Sequence, residues 1–271
     1  MVSQEQRRRQ LAREKFLRQQ QRRTDARRKS RMRNSVIASV LGVVVIGSVA
    51  LYTTGVLKND DKKANASADV TPSPSASKAP DPCEKPAAGS ATKEKWAKEP
   101  AMTIDTSEKY TMKLATTCGD IDVALKASAA PHTVNSFAFL AGKGYFDHTK
   151  CHRLTTNGIY VLQCGDPTAT GTGDPGYKLK DENLKDESLK GNVYPKGTVA
   201  MANSGPNTNG SQFFLVYKDS PLPPNYTPFG TIDEAGLKVL DKIAAAGENT
   251  GAGDGAPNAT VVIDKATVTK S

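Results

Sequence analysis

The sequence predicts a mainly β domain, a small closed barrel with two helices, preceded by one transmembrane helix and a disordered linker. Three observations support this prediction. Residues 35–57 are apolar and uncharged, residues 58–100 are rich in Ala, Lys, Pro and Ser, and the remainder contains many short alternating segments separated by turns. A chain of 271 residues has room for one or two folded domains.

The basic character of the chain belongs to one tail. The formal net charge is +9, but residues 1–34 hold thirteen Lys and Arg against three acidic residues. The rest of the chain is close to neutral, so the basic pI does not indicate a nucleic-acid-binding domain, and no nucleic-acid partner is expected. The tail either sets membrane topology, which is the favoured interpretation, or forms a scaffold surface for anionic lipid or RNA.

Residues 35–57 are predicted to cross a membrane and contact its lipid. A helix of this length, at about 1.5 Å per residue, spans the ~30 Å hydrocarbon core. The alternative is a buried core helix, which seldom lacks a polar face over such a length. Lys and Arg are concentrated before the span, so the tail is expected in the cytoplasm and everything after Leu57 outside. The long charged leader favours an uncleaved anchor over a signal peptide.

Residues 58–100 are predicted to be a disordered linker. They include the run TPSPSASKAPDP, and such a composition cannot bury enough apolar surface to form a core. Trp96, the only tryptophan, lies near the end of this linker and is either docked on the following domain or solvated. The folded domain is therefore assigned to residues 101–271.

The folded domain is predicted to consist of short strands and two helices. YTMKLATT and IDVALK alternate apolar and polar residues around the turn CGD, which predicts a hairpin. PHTVNSFAFLAGKGYF predicts a helix with Gly142 as its C-cap, and DEAGLKVLDKIAAAG predicts another. Further short strands are predicted at CHRL, IYVLQCG, GTVAMAN, QFFLVYK, PFGTI and ATVVIDKATV. This composition of elements favours a small closed barrel.

The four cysteines all follow the apolar span, and an even number in an exported segment favours disulfides over four buried free thiols. If CHRL and IYVLQC form a hairpin, Cys151 and Cys164 face each other across it, which leaves Cys83 to pair with Cys118. Four cysteines allow three connectivities, and the sequence does not decide among them. No His or Cys cluster has the spacing of zinc ligands, so no metal is expected.

One stretch is unusual: MANSGPNTNGSQFF places a polar turn of Asn, Gly and Ser directly before two aromatic residues. Together with CHRL, LQCGDPTATGTGDPGY and PFGTI, in this order, it resembles the cyclophilins, the cyclosporin-binding class of peptidyl-prolyl cis–trans isomerases. The resemblance covers about residues 105–270 and is closest to bacterial membrane-anchored or exported members. It implies a closed eight-stranded antiparallel barrel capped by two α-helices.

The resemblance also implies the site. Arg153 corresponds to the catalytic donor, Phe214 to the floor of a proline pocket, and Gln163 to a group that hydrogen-bonds the substrate backbone. Further substrate-binding positions are implied at Tyr160, Val161, Ala202, Asn203, Gln212, Leu222 and Tyr226. Such an enzyme accelerates rotation about X–Pro bonds in proline-containing polypeptides, here during the folding of extracytoplasmic proteins. It is expected to act as a monomer and to need no cofactor.

The sequence departs from the family pattern in the same region. Two extra residues lie between Arg153 and Gln163 relative to short eukaryotic members. Pro221 stands where cyclosporin-sensitive members have Trp, and Tyr226 where they have His, so weak cyclosporin affinity is expected. The alternative function is a peptide-binding module with the same groove and no turnover.

Overall fold

The computed structural model of the protein describes residues 80–270. Within these residues two α-helices are present, α1 at Pro131–Gly142 and α2 at Glu234–Ala245, and both were predicted from the sequence. The predicted C-cap of α1 was wrong by one residue, because Gly142 is the last helical residue and Lys143 caps the helix. A short 3₁₀ segment spans Glu187–Asn192. The strands are β1 Tyr110–Thr116, β2 Gly119–Leu125, β3 Thr149–Lys150, β4 Arg153–Thr155, β5 Val161–Cys164, β6 Val193–Tyr194, β7 Thr198–Met201, β8 Phe213–Val216, β9 Ser220–Pro221, β10 Pro228–Ile232, β11 Asp254–Gly255 and β12 Val262–Lys270.

The strands form a curled antiparallel half-barrel. Ten strands pair in the order β11-β4-β5-β8-β7-β10-β2-β1-β12-β3, and β6 pairs separately with β9. The structure differs from the expected closed eight-stranded barrel in the number of strands and in closure. The described residues contain twelve strands, of which four have only two residues and are too short to give a periodic pattern. In the described pairings β11 and β3 are the two ends of the larger sheet.

The central strands are buried on both faces. In β8, Phe213 and Leu215 pack into the main core with α1, whereas Phe214 and Val216 belong to a second, smaller apolar cluster. Successive side chains of a strand point to opposite faces, so the continuous apolar run of β8 serves both clusters. The adjacent aromatic pair of the QFF sequence is thus divided, with Phe213 in the core and Phe214 at the second face.

Residues 80–100 are packed on the domain, although their composition predicted part of a disordered linker. Trp96 places its ring 5.2 Å from that of Phe139 and 5.8 Å from that of Tyr145, between centroids. The Trp96 N–H donates to the Pro175 carbonyl at 2.8 Å. Although the segment contains neither helix nor strand, these tertiary contacts, which its composition does not reveal, hold it in place.

Both expected disulfides are present. Cys83 is bonded to Cys118, which ties the 80–100 segment to the β1–β2 turn, and Cys151 is bonded to Cys164 across the β4–β5 hairpin. In the part of the chain that the structure describes, no helix has the length and apolar character needed to cross a membrane. The tail 1–34, the span 35–57 and linker residues 58–79 lie outside the described residues.

Candidate active site

The three residues assigned to catalysis lie in one row across adjacent strands. Arg153 on β4 is directly opposite Gln163 on β5, and Gln163 is directly opposite Phe214 on β8. Ala200 on β7 continues the row, since it lies opposite Phe214. Directly opposite residues of an antiparallel sheet face the same side, so the short strands β4, β5 and β8 bring these side chains together.

A chain of hydrogen bonds fixes the polar end of this row. Arg153 Nη1 donates to Gln163 Oε1 at 3.2 Å, and Gln163 Nε2 donates to Gln212 Oε1 at 2.9 Å. Gln212 Nε2 in turn donates to the Gly173 carbonyl at 3.0 Å. The side chains of Gln163 and Gln212 are therefore held in one orientation beside the guanidinium group.

A cavity of about 190 Å³ opens beside the row. Phe214 is 5% exposed and forms its apolar floor, while Arg153 and Gln163 supply polar groups at one side. A second cavity of about 350 Å³ adjoins it and shares Gln163, and Gln212 lines this larger cavity. The smaller cavity is lined by Arg153, Ile159, Val161, Gln163, Ala202, Asn203, Phe214, Leu222 and Tyr226.

Tyr160 is placed differently from the prediction. It does not line the smaller cavity, which contains Ile159 and Val161 instead. Val161 and Gln163 alternate onto one side of β5. Ile159 and Val161 belong to the apolar cluster of Phe214, whereas Tyr160 packs against the main core on the other side. There the Tyr160 ring packs against Tyr217 at 6.0 Å, and the Lys218 ammonium lies 4.4 Å from its centroid.

Tyr194 supports the aromatic side of the cavity, a role that the sequence analysis missed. Its hydroxyl donates to the Tyr226 carbonyl at 2.7 Å and accepts from the Tyr226 N–H at 3.1 Å. The Tyr226 ring then meets the Phe214 ring edge-on, 5.5 Å away. Burial raises the pKa of Tyr194 to about 12, so this hydroxyl stays protonated at neutral pH and continues to donate. No sequence signal distinguished Tyr194 from an ordinary core residue.

The polar turn after Met201 is held by its own side chains. Asn203 Nδ2 donates to the Asn225 carbonyl at 2.8 Å, and Asn203 Oδ1 accepts from the Gly205 N–H at 3.2 Å. The Ala202 N–H donates to the Gln212 carbonyl at 2.9 Å. The Asn203 side chain is therefore engaged within the protein and holds the turn.

The loop 166–173, which lines the larger cavity, is organised by a buried carboxylate. Asp166 is fully buried and accepts backbone hydrogen bonds from Thr168, Thr170, Gly171 and Gly173 at 2.7–3.1 Å. Burial acts to raise the pKa of Asp166, but hydrogen bonds from Thr168, Gly173 and Gly171 outweigh it and hold the pKa below its ordinary value. A Cβ at Gly173 would collide with this carboxylate, so glycine is required there.

Arg153 has an acidic partner that the sequence analysis also missed. Asp254 on β11 accepts from Arg153 Nε and Nη2, both at 2.8 Å. Arg153 is the only arginine after Arg33, whereas every other cation in that part of the chain is lysine or histidine. Guanidinium offers a planar fork that lysine lacks, so this single arginine was a signal of a geometric role.

Comparison with known proteins gives consistent results. The family described as cyclophilin type peptidyl-prolyl cis-trans isomerase/CLD matches residues 111–268. The probable peptidyl-prolyl cis-trans isomerase B of Mycobacterium leprae (strain TN) is 52% identical over 199 residues, 70% of this chain and 63% of that protein. Its Mycobacterium tuberculosis (strain ATCC 25618 / H37Rv) counterpart is 45% identical over 208 residues, 74% of this chain and 64% of that protein.

This chain thus spans less than two thirds of the length of these relatives. A crystal structure of a Cryptosporidium parvum cyclophilin type peptidyl-prolyl cis-trans isomerase has 26% sequence identity and a TM-score of 0.49. It covers 60% of this chain and 99% of its own. Because the family match extends over more than half of the sequence, this chain belongs to the cyclophilin-type peptidyl-prolyl cis-trans isomerase family.

Proposed function

We propose that this protein is a peptidyl-prolyl cis–trans isomerase that acts on proline-containing segments of polypeptides outside the cytoplasm. The observation that carries the proposal is the row of Arg153, Gln163 and Phe214 beside one small apolar cavity. A guanidinium donor, an amide and an aromatic floor at one place are the groups that this reaction requires.

The reaction needs a twisted amide to be favoured over the planar one. Rotation about an X–Pro bond loses amide resonance, which gives a barrier of ~18–20 kcal/mol. The twisted nitrogen becomes pyramidal and gains a lone pair that the planar amide lacks. A hydrogen bond to this lone pair therefore stabilises the transition state selectively, and each ~1.4 kcal/mol gained accelerates exchange tenfold.

The residues of the cavity have distinct roles in this mechanism. The proline ring packs on Phe214, between Val161, Leu222 and Tyr226, so that the ring is held while the preceding residue rotates. Arg153 directs its guanidinium to the prolyl nitrogen. Gln163 and the backbone at Ala202 and Asn203 bind the peptide chain. No bond is broken, so the mechanism uses no nucleophile.

The membrane anchor and the extracytoplasmic location are part of the same proposal. Residues 35–57 are long and apolar enough to cross a bilayer, and Lys and Arg are concentrated before them. The two disulfides of the domain are typical of oxidising compartments. An anchored isomerase facing outward would meet exported chains as they fold. Protease treatment of intact cells tests this: the domain should be cleaved without lysis, and protection would refute the topology.

The activity is tested with the fragment Pro74–Ser271, prepared with its disulfides formed, and with the full chain in detergent. Cis–trans exchange of an Ala-Pro-Phe peptide should be accelerated by both. Folded protein that binds the peptide but leaves the exchange rate at its value in buffer would refute the enzyme and favour a binding module. Folded protein that neither binds nor accelerates would leave the basic tail as the functional part, which is tested by binding a tail peptide to anionic vesicles and to RNA.

A further inference from the structure

The Asp254 carboxylate binds the guanidinium of Arg153 on the side away from the smaller cavity. Asp254 Oδ1 accepts from Arg153 Nε, and Asp254 Oδ2 accepts from Nη2, both at 2.8 Å. Asp254 does not line the smaller cavity, whereas Arg153 does. The carboxylate therefore contacts the donor and not the place that a substrate would occupy.

The strand register brings the acid to this position. In the β4–β11 pair, Asp254 lies opposite Thr155, which is two residues from Arg153 and so projects to the same face of β4. A diagonal neighbour of this kind is within reach of a long side chain. The β11 strand is only two residues long, so its place depends on the loop before it.

That loop is held by a second acidic residue. Glu248 is 9% exposed and accepts from the Thr250 hydroxyl at 2.6 Å and from the Gly253 N–H at 2.9 Å. The Thr250 hydroxyl oxygen also lies 3.2 Å from the Asp254 carbonyl oxygen. Asp254 therefore projects from a turn with its own internal supports, rather than from an unconstrained loop end.

The bidentate pair determines which part of the guanidinium is available. Arginine has five N–H donors in a fixed plane. Asp254 takes two of them and Gln163 Oε1 takes one on Nη1. Among the described residues no acceptor engages the other two, one on each terminal nitrogen. The side chain is 38% exposed, so without the carboxylate it would regain the freedom to change rotamer.

We propose that Asp254 is a positioning residue for Arg153, which fixes the guanidinium so that its two free N–H groups face the bound prolyl nitrogen. This inference rests on the proposed isomerase function. Asp254 touches neither substrate nor reacting atoms, so it acts only through Arg153. It therefore contributes to the rate of rotation and not to the affinity for peptide.

The kinetic test uses the full chain and three substitutions: Asp254→Asn, Asp254→Glu and a control at Asp241. Asp254→Asn should lower kcat about tenfold and change KM by less than about twofold, because the effect falls on the transition state. Asp254→Glu should recover part of the loss, since it restores a carboxylate. The matched control is Asp241→Asn. Asp241 is an exposed carboxylate on α2 that pairs with Lys196 at 2.8 Å, and its substitution should keep the wild-type kcat. Equal effects of Asp254→Asn and Asp241→Asn would overturn the inference.

A double-mutant cycle separates positioning from a general structural effect. In an Arg153→Ala background, Asp254→Asn should have no further effect on kcat, because the residue through which it acts is gone. A similar fold-loss in both backgrounds would show that Asp254 acts elsewhere and would refute the inference. Melting temperatures of all variants are measured in parallel, so that unfolded protein is not counted as lost activity.

A readout independent of catalysis is the Arg153 Nε–H resonance in chain labelled with ¹⁵N-arginine. All other arginines lie within residues 7–33, so one shifted signal, absent in Arg153→Lys, should report the pair. Asp254→Asn should move it and Asp241→Asn should not. A wild-type signal unaffected by Asp254→Asn would overturn the inference whatever the activity. An inactive wild-type chain with an intact shifted signal would instead refute the proposed function.

Discussion

Arg153 and Gln163 face each other across β4 and β5, and the guanidinium donates to the amide oxygen at 3.2 Å. The Cys151–Cys164 disulfide closes the same hairpin. The pair is therefore fixed by backbone register, by a covalent bridge and by a side-chain hydrogen bond. Such fixed geometry suits a reaction whose catalysis depends on aiming one donor.

Substitution of Arg153 tests whether its guanidinium is the catalytic donor. Arg153→Ala should lower kcat/KM by at least about a hundredfold, corresponding to ~2.7 kcal/mol of transition-state stabilisation. Arg153→Lys should recover only a small part, because an ammonium group keeps the charge but cannot bind Asp254 and Gln163 in the same planar arrangement. The measurement is peptide exchange by NMR at several substrate concentrations. Wild-type turnover in Arg153→Ala, with an unchanged melting temperature, would show that the donor is another group.

The Cys83–Cys118 bridge should control docking of residues 80–100. Replacing both cysteines by Ser should lower the free energy of unfolding by about 2–4 kcal/mol. Trp96 is the only tryptophan, so its emission reports the docked segment. In this variant the Trp96 transition in denaturant should precede global unfolding measured by circular dichroism. Replacement of Cys151 and Cys164 by Ser is the control, in which both transitions should coincide. Coincidence in both variants would show that the bridge is not needed for docking.

Sequence patterns predicted the long elements and the row of site residues, but not the contacts between distant segments. The helices and the β1–β2 hairpin have clear periodicity, and the family resemblance located Arg153, Gln163 and Phe214. Asp254 begins the two-residue strand β11 in a Gly- and Ala-rich stretch about a hundred residues after Arg153, and only strand pairing brings the two together. A two-residue strand such as β11 has no periodic signal.

The placement of Tyr160 outside the smaller cavity has a similar origin. Family spacing assigned it to the pocket, but the cavity lining depends on which side of the chain faces inward. A shift of one residue exchanges the two faces of a strand. Residues 80–100 show the converse case: composition predicted disorder, and contacts of Trp96 with Phe139 and Tyr145, absent from any local pattern, fix the segment.

Asp166 should stabilise the domain in a pH-dependent manner. Asp166→Asn replaces an acceptor of several buried hydrogen bonds with an amide, and should destabilise the domain by about 2–4 kcal/mol at pH 7. The lowered pKa of Asp166 means that its contribution is fully present above the unfolded-state value of about 3.9 and is lost as pH falls through the folded value. The difference between wild type and variant in urea unfolding should therefore narrow below about pH 4.

The comparison requires a surface carboxylate as control. Asp241→Asn should change the free energy of unfolding by less than about 0.5 kcal/mol at pH 7, because exposed pairs contribute little. A difference between wild type and Asp166→Asn that stays constant down to pH 3 would contradict the assignment of a buried, charged Asp166.

Cyclosporin should inhibit the protein weakly. Pro221 stands where sensitive cyclophilins carry Trp, and it is exposed at the end of β9, paired with Val193. Proline offers neither the indole N–H donor nor the large ring face that tryptophan contributes to a ligand. Leu222 and Tyr226 still border the cavity, so peptide turnover should be retained while drug affinity is low.

Pro221→Trp should increase drug affinity at least about tenfold, equivalent to ~1.4 kcal/mol, with kcat for the peptide little changed. Titration of activity with cyclosporin measures the inhibition constant, and the uninhibited rate gives kcat. Tight inhibition of the wild type would show that position 221 does not determine drug affinity here. Unchanged cyclosporin affinity in Pro221→Trp, with a wild-type melting temperature, would lead to the same conclusion.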